Sequence, residues 1–277
     1  MMLAWPVYVG MSFFAVFAAF FGVYVVLRRM SLMTDVLSHA TLPGVVLGFC
    51  LFQGSYLCML VGGMLSGFLG VLLTGFLERH SFLKMDAILG VILSIFFGFG
   101  LFLYSFLQRY AGADQAMIMR FLLGNPVLLT RQDCIYIVGL GIIVFFVCAT
   151  FYKPLQLIAF DRLYAACLGY NIVFYDFLLL FFLLAIISLG LPLVGVMLTS
   201  SLMVAPAMVG LQFCSRIRAV QIVAMLVAFF GSGLGLLLSA SFKQIPAGPL
   251  ISIFVISAAL FSIAYCSFKS MYHSKKG

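Results

Sequence analysis

Charge is the first thing this chain is short of. Charged residues make up 8% of its 277 positions, with one glutamate, Glu78, and three histidines; soluble domains carry about 25% charged residues. No water-facing surface can be assembled from that inventory, which excludes a soluble enzyme, a disordered tail and a nucleic-acid-binding protein. Paired cysteines are missing as well. Cys50, Cys58, Cys134, Cys148, Cys167, Cys214 and Cys266 are scattered, mostly inside apolar runs, and form no C-x-x-C. That pattern offers neither a disulfide framework nor a thiolate metal site, and the cysteines read as small packing residues. The sequence has no G-x-x-x-x-G-K-S/T loop, so the chain does not hydrolyse ATP through a P-loop. It lacks the two-residue alternation of transmembrane strands and any obvious internal repeat. Its first residues, MMLAWPVYVG, have no basic n-region and read as the lead-in to a retained helix, not a cleaved signal.

What is present is apolar: 65% of residues, with a mean hydropathy of +1.27. Nine runs are long enough to cross a bilayer as helix, near 7–27, 36–52, 56–77, 86–107, 133–151, 172–189, 193–213, 219–241 and 247–268. The expected fold is an all-α polytopic membrane protein of eight or nine transmembrane helices, a single domain over residues 1–277. Within 172–213, Gly190-Leu191-Pro192 is the expected turn. Basic residues then orient the bundle. With the N-terminus outside, the inside loops hold Arg28, Arg29, Arg79, Lys84, Lys153, Arg162, Arg216, Arg218, Lys269, Lys275 and Lys276. The outside holds Arg109, Arg120, Arg131 and Lys243. The bias predicts N-out and C-in.

Gly63-x-x-x-Gly67 and Gly231-x-x-x-Gly235 predict close helix–helix approach. Two connections exceed what a turn needs. Gln108–Gln132, outside, contains the apolar Phe121-Leu122-Leu123-Gly124 and is a candidate for a short interfacial or re-entrant piece. Tyr152–Asn171, inside, contains a helix of about two turns from Arg162 to Leu168, with Asp161 as N-cap and Gly169 as C′. Such a helix is either a docking element or an interfacial anchor.

Ionisable residues inside a span carry the functional signal. Asp86, Asp133 and Asp176 lie at span edges, His80 in a basic loop and His273 in the tail. Asp35 and His39 are different. They stand at i and i+4 beside an otherwise apolar span, so on a helix they share one face. A carboxylate oxygen and a neutral imidazole nitrogen suit a borderline divalent cation such as Zn²⁺, Mn²⁺ or Fe²⁺. Pro43, four residues after His39, has no N–H for the His39 carbonyl, which frees that oxygen for a water, a side chain or an ion. The competing reading is a hydrogen-bonded Asp–His pair capping a kinked helix. One carboxylate cannot neutralise a dication, so a metal site here calls for a second copy across a twofold axis.

Several blocks resemble the membrane permeases of ABC-type manganese, zinc or iron importers, the ABC-3 family. Asp35-Val-Leu-Ser38-His39-Ala-Thr-Leu-Pro43-Gly44-Val is similar to the D-A-L-S-H-A-x-L-P-G-V signature, with Val36 in place of the frequent Ala. Phe160-Asp161-Arg162-Leu-Tyr-Ala-Ala-Cys-Leu168-Gly169 resembles F-D-x-x-x-A-x-x-L-G. Val194-Gly195-Val-Met-Leu198 with Leu202-Met-Val-Ala-Pro206-Ala207 resembles V-G-x-x-L…L-x-x-P-A, and Pro246-Ala-Gly248-Pro249 matches P-x-G-P. Together they cover about residues 24–250.

The resemblance implies a type II ABC importer-like bundle that moves a divalent metal into the cytoplasm of a bacterium by alternating access. It implies Asp35 and His39 as cation ligands, and a cytoplasmic coupling segment at about 153–171 that docks on an ATPase through Phe160, Asp161, Arg162, Leu168 and Gly169. The implied partners are ATPase subunits, an extracytoplasmic metal-binding protein and a second permease subunit, identical or related. They sit in and around membrane lipid, without nucleic acid. No catalytic residue and no permanently bound cofactor are expected; the metal is cargo. Thr199, Ser200 and Ser201 either line the path or bond within the bundle. Two alternatives stand beside this reading: a proton-coupled secondary metal transporter using Asp35 and His39 as a relay, and a siderophore or corrinoid ABC permease.

Overall fold

An apolar run in a bilayer finds no water for its amides, so it closes its hydrogen bonds internally as helix. The structure, a computed structural model, describes residues 5–51, 56–110, 131–241 and 247–274, and among them every regular element is helical. In chain order these are α1 (Trp5–Leu27), α2 (Ser31–Ala40), α3 (Leu42–Leu51), α4 (Tyr56–His80), α5 (Met85–Tyr110) and α6 (Arg131–Thr150). There follow α7 (Tyr152–Phe160), α8 (Arg162–Cys167), α9 (Ile172–Val194), α10 (Val196–Phe213), α11 (Ile217–Ser241) and α12 (Ala247–Ser274). Eight spans are long and apolar enough to cross a membrane, α2 and α3 together forming one of them. A ninth is reached if α6 and α7, bent by 75° at their junction, are taken as one. The eight-to-nine-helix expectation is met.

Three details differ from the sequence expectation. The second span begins at Ser31 instead of near residue 36 and is broken at Thr41. Helix α9 continues through Gly190, Leu191 and Pro192 to Val194, and the chain turns at Gly195, whose φ of 82° and ψ of 168° suit glycine alone. Proline is tolerated inside membrane helices because neighbours re-satisfy the freed carbonyl, so Pro192 did not mark the turn. The cytoplasmic segment holds two helices, not one, because α7 precedes the expected α8. Pro154 lies in the first turn of α7, where its missing N–H costs nothing. Most of the proposed re-entrant piece, 111–130, lies outside the described residues.

The chain divides into two compact units. One is drawn from Met1–Arg29, Pro126–Tyr170 and Ser201–Gly277. Here α1 packs on α6 and α11, and α11 on α12. Phe14, Phe21 and Tyr24 of α1 are fully buried. Gly231 and Gly235 abut Val255 and Ile251 of α12, the close approach the G-x-x-x-G spacing predicts. Helix α7 buries Leu155 and Ile158, and the Arg218 guanidinium lies 5.0 Å from the centre of the Tyr152 ring, a cation–π contact.

The other unit is drawn from Met30–Asn125 and Asn171–Ser200. Its core joins Val45, Val46 and Phe49 of α3 to Met59 and Leu60 of α4 and Tyr104 of α5. Gly44 and Gly62 face each other so closely that a Cβ on either would run into the other's carbonyl. Helix α2 lies against α4, α5 and α9 within this unit.

Candidate metal site on a broken helix

Helix α2 is a short polar helix held in an apolar unit by its own hydroxyls. Thr34 Oγ1 donates to the Ser31 carbonyl (2.6 Å), Ser38 Oγ to that of Thr34 (2.8 Å) and Thr41 Oγ1 to that of Ser38 (2.7 Å). Each satisfies its polar group within the helix, which lets Thr34, Ser38 and Thr41 be fully buried. The remaining buried positions are Met33, Val36, Leu37 and Ala40. Ser31, Leu32, Asp35 and His39 are left, and they fall on one face. Asp35 and His39 are therefore brought together on the open side of α2, as the i, i+4 spacing requires.

His39 is held from one side by α5. Its ring meets that of Phe97 edge-on, with centroids 4.7 Å apart and planes at 72°. Its Nδ1 is buried and has no hydrogen-bond partner among the described residues. The capping reading of the Asp–His pair finds no support at that nitrogen. A buried imidazole nitrogen without a partner is costly, and an ion or a water would relieve it. Among the described residues no group of three or more His, Cys, Asp or Glu side chains is gathered anywhere, so there Asp35 and His39 stand as a pair without a third such donor.

The break follows directly. The Thr41 N–H bonds the Leu37 carbonyl at 3.1 Å, the last regular bond of α2. Pro43 stands second in α3, inside its first turn. Its missing N–H leaves the His39 carbonyl without its usual i+4 donor, and the Thr41 N–H faces that carbonyl as well as that of Leu37. The next carbonyl, that of Ala40, is taken by a donor from another helix: Ser66 Oγ of α4, at 2.6 Å. Neither Phe97 nor Ser66 carries a sequence signal of its own. Phe97 is one of 31 phenylalanines, and Ser66 sits inconspicuously among the small residues of α4.

The second predicted group belongs to the other unit. Asp161 has extended backbone (φ −141°, ψ 98°), and its Oδ1 accepts from Tyr164 N at 2.9 Å, capping α8 as expected. Gly169 takes φ 83°, and the Tyr170 N–H reaches the Ala165 carbonyl at 3.2 Å, a left-handed C-terminal closure. Only Ala165 is buried; Phe160, Leu163, Tyr164 and Leu168 are exposed apolar side chains on this short element, Leu163 at 81%. Arg162 is exposed beside them. In α10, Thr199 is buried and its hydroxyl bonds the Gly195 carbonyl at 2.8 Å, while Ser200 reaches only Val196 and Met197 carbonyls of its own helix. For these two, bonding within the helix is what the structure shows.

The family model described as "ABC 3 transport family" matches residues 2–266. The chain belongs to that family. It is 32% identical over 261 residues to the zinc transport system membrane protein TroC of Treponema pallidum, covering 93% of this chain and 87% of that protein. It is 33% identical over 244 residues to the manganese transport system membrane protein MntC of Bacillus subtilis, covering 87% of this chain. That match spans 56% of the MntC protein's own length. Among solved structures, PsaBC from Streptococcus pneumoniae in complex with Fab superposes with a TM-score of 0.82 at 26% identity, over 93% of this chain and 89% of that one. The family's helical membrane bundle is thus the fold of this chain, and the relatives it matches are membrane proteins of transport systems.

Proposed function

We propose that this chain is the membrane permease of an ATP-driven importer that carries a divalent transition-metal ion, manganese, zinc or ferrous iron, into the bacterial cytoplasm. The observation that carries the reading is the pairing of Asp35 and His39 on the one open face of α2, with a buried imidazole nitrogen that lacks a partner. The named relatives transport manganese and zinc, and both ions accept this oxygen-and-nitrogen pair. Two donors per chain hold a cation weakly enough to release it. A second permease copy would double the donors and let two carboxylates balance the charge of the ion.

The bundle lies N-out and C-in, with α8 on the cytoplasmic side. There the exposed Phe160, Leu163 and Leu168 give an ATPase subunit an apolar foothold, and ATP binding shifts the bundle between outward- and inward-open states. A metal-binding protein delivers the ion outside, and the permease keeps no resident cofactor.

Uptake of manganese and zinc in cells lacking the endogenous importer tests this, with the chain expressed alongside its ATPase. Asp35→Asn and His39→Ala are each expected to abolish uptake at unchanged membrane abundance. Uptake that persisted without any ATPase and followed a proton gradient would favour the secondary carrier instead. Uptake of a metal chelate, unaffected by either substitution, would favour the siderophore or corrinoid reading.

A further inference from the structure

The second span is weakened at Thr41, where Pro43 removes a backbone hydrogen bond, so the way Asp35 and His39 are presented depends on what holds the end of α2. Helix α3 is locked to α4 through Gly44 and Gly62, whose backbones touch. Helix α2 joins α3 at Thr41 and packs on α4, α5 and α9. Across the gap runs one side-chain hydrogen bond between elements, Ser66 Oγ to the Ala40 carbonyl, joining residues 26 apart in sequence. Ser66 is 7% exposed, so water does not compete for that carbonyl. Thr41 Oγ1, the other hydroxyl at the break, bonds back into α2 at Ser38 and ties nothing across.

Ligating histidines are ordinarily oriented by a hydrogen bond on the ring nitrogen that does not meet the metal. With Nδ1 the unpartnered nitrogen left for the ion, no side-chain hydrogen bond orients the His39 ring from its other nitrogen among the described residues. Ring packing against Phe97 and the backbone itself are what remain to aim the imidazole. The backbone at the end of α2 is held at Ala40, the residue after His39.

We infer that Ser66 is a positioning residue for the cation site: by clamping the Ala40 carbonyl to α4 it sets the orientation of the α2 half-helix and so the geometry that Asp35 and His39 offer to the ion. This rests on the reading of Asp35 and His39 as cation ligands. Ser66 touches no ion itself. Its effect falls on how well the site discriminates and holds, not on whether the bundle folds.

The test is uptake of radiolabelled manganese and zinc by the assembled transporter in cells, with the membrane abundance of the chain measured alongside. Removing an orienting partner costs about 10–100-fold in metal affinity, and through one backbone step the low end applies, so Ser66→Ala is expected to raise the half-saturating ion concentration about tenfold. The ratio of manganese to zinc uptake shifts with it, while uptake per molecule at saturating ion is retained. Ser66→Cys keeps the volume with a weaker donor and falls between; should Ser66→Ala fail to accumulate in the membrane, the cysteine variant decides the matter. Half-saturation and ion ratio equal to the parent, or a loss that only tracks protein abundance, would overturn the inference. Asp35→Asn, run in parallel, separates the two failures: if it too leaves uptake unchanged, the ligand reading falls; if it abolishes uptake while Ser66→Ala changes nothing, only the positioning role falls.

Discussion

The His39 imidazole and the Phe97 ring meet edge-on, 4.7 Å between centroids, which places an apolar wall from α5 against one side of the candidate ligand. The aromatic pair contributes about 1 kcal/mol to holding the imidazole in place. Phe97→Ala is therefore expected to raise the half-saturating metal concentration about fivefold while maximal uptake persists. Phe97→Leu, which keeps an apolar wall, falls nearer the parent. Concentration-dependent uptake of manganese and zinc by the two variants checks this.

The packing of α3 on α4 makes a sharper prediction. A methyl at Gly44 would enter the Gly62 carbonyl, and two helix backbones cannot move aside as a side chain can. Gly44→Ala is expected to cost about 3 kcal/mol, seen as a large drop in melting temperature of the detergent-solubilised chain. Gly75 lies on the same helix α4 with nothing within 4 Å of the corresponding position. Gly75→Ala should be neutral, or stabilising by up to about 1 kcal/mol.

On the α8 element, fold and docking can be separated. Asp161→Ala removes the N-cap bond to Tyr164 and should destabilise this short helix by about 1 kcal/mol. Leu163 is 81% exposed, so little of its side chain packs against the described residues. Leu163→Asp is expected to leave thermal stability unchanged and to abolish co-purification with the ATPase subunit, because a buried unpaired carboxylate is costly at an interface. Retained co-purification would move the docking surface off this face.

The turn between α9 and α10 depends on Gly195, at φ 82° and ψ 168°. A side chain in that region of backbone space costs about 1–3 kcal/mol. Gly195→Ala should lower the melting temperature correspondingly, whereas Gly98→Ala, inside helix α5 with nothing within 4 Å of its Cβ position, should lower it little. Equal effects at the two positions would mean the turn is not where the backbone places it.

The spans were legible because the bilayer imposes a requirement on local sequence: about 20 consecutive apolar residues for each crossing. Asp35 and His39 were legible for the complementary reason, as ionisable groups where few are tolerated. The α8 helix carried punctuation at both ends, Asp161 to start it and Gly169 to close it. Helix α7 carried none that stood out. The turn near 190 was misplaced because Gly-Leu-Pro is a turn signal in water, while a membrane helix can absorb it. The second span's start was missed because Ser31 to Asp35 looks like loop until its hydroxyls are seen bonding back into α2.

By itself, the sequence determined that this is a helical membrane protein, roughly where it crosses, and that Asp35 and His39 share a face if their segment is helical. These follow from interactions within a few residues, the i to i+4 hydrogen bond and the alternative of bare amides in lipid. Tertiary structure alone decided that this face is the one α2 leaves open, that Phe97 meets the imidazole, and that Ser66 holds the carbonyl beside it. Those facts depend on which distant helices pack on α2. That choice is made by the fit of glycine to glycine and ring to ring across the unit, and no local pattern in the chain records it.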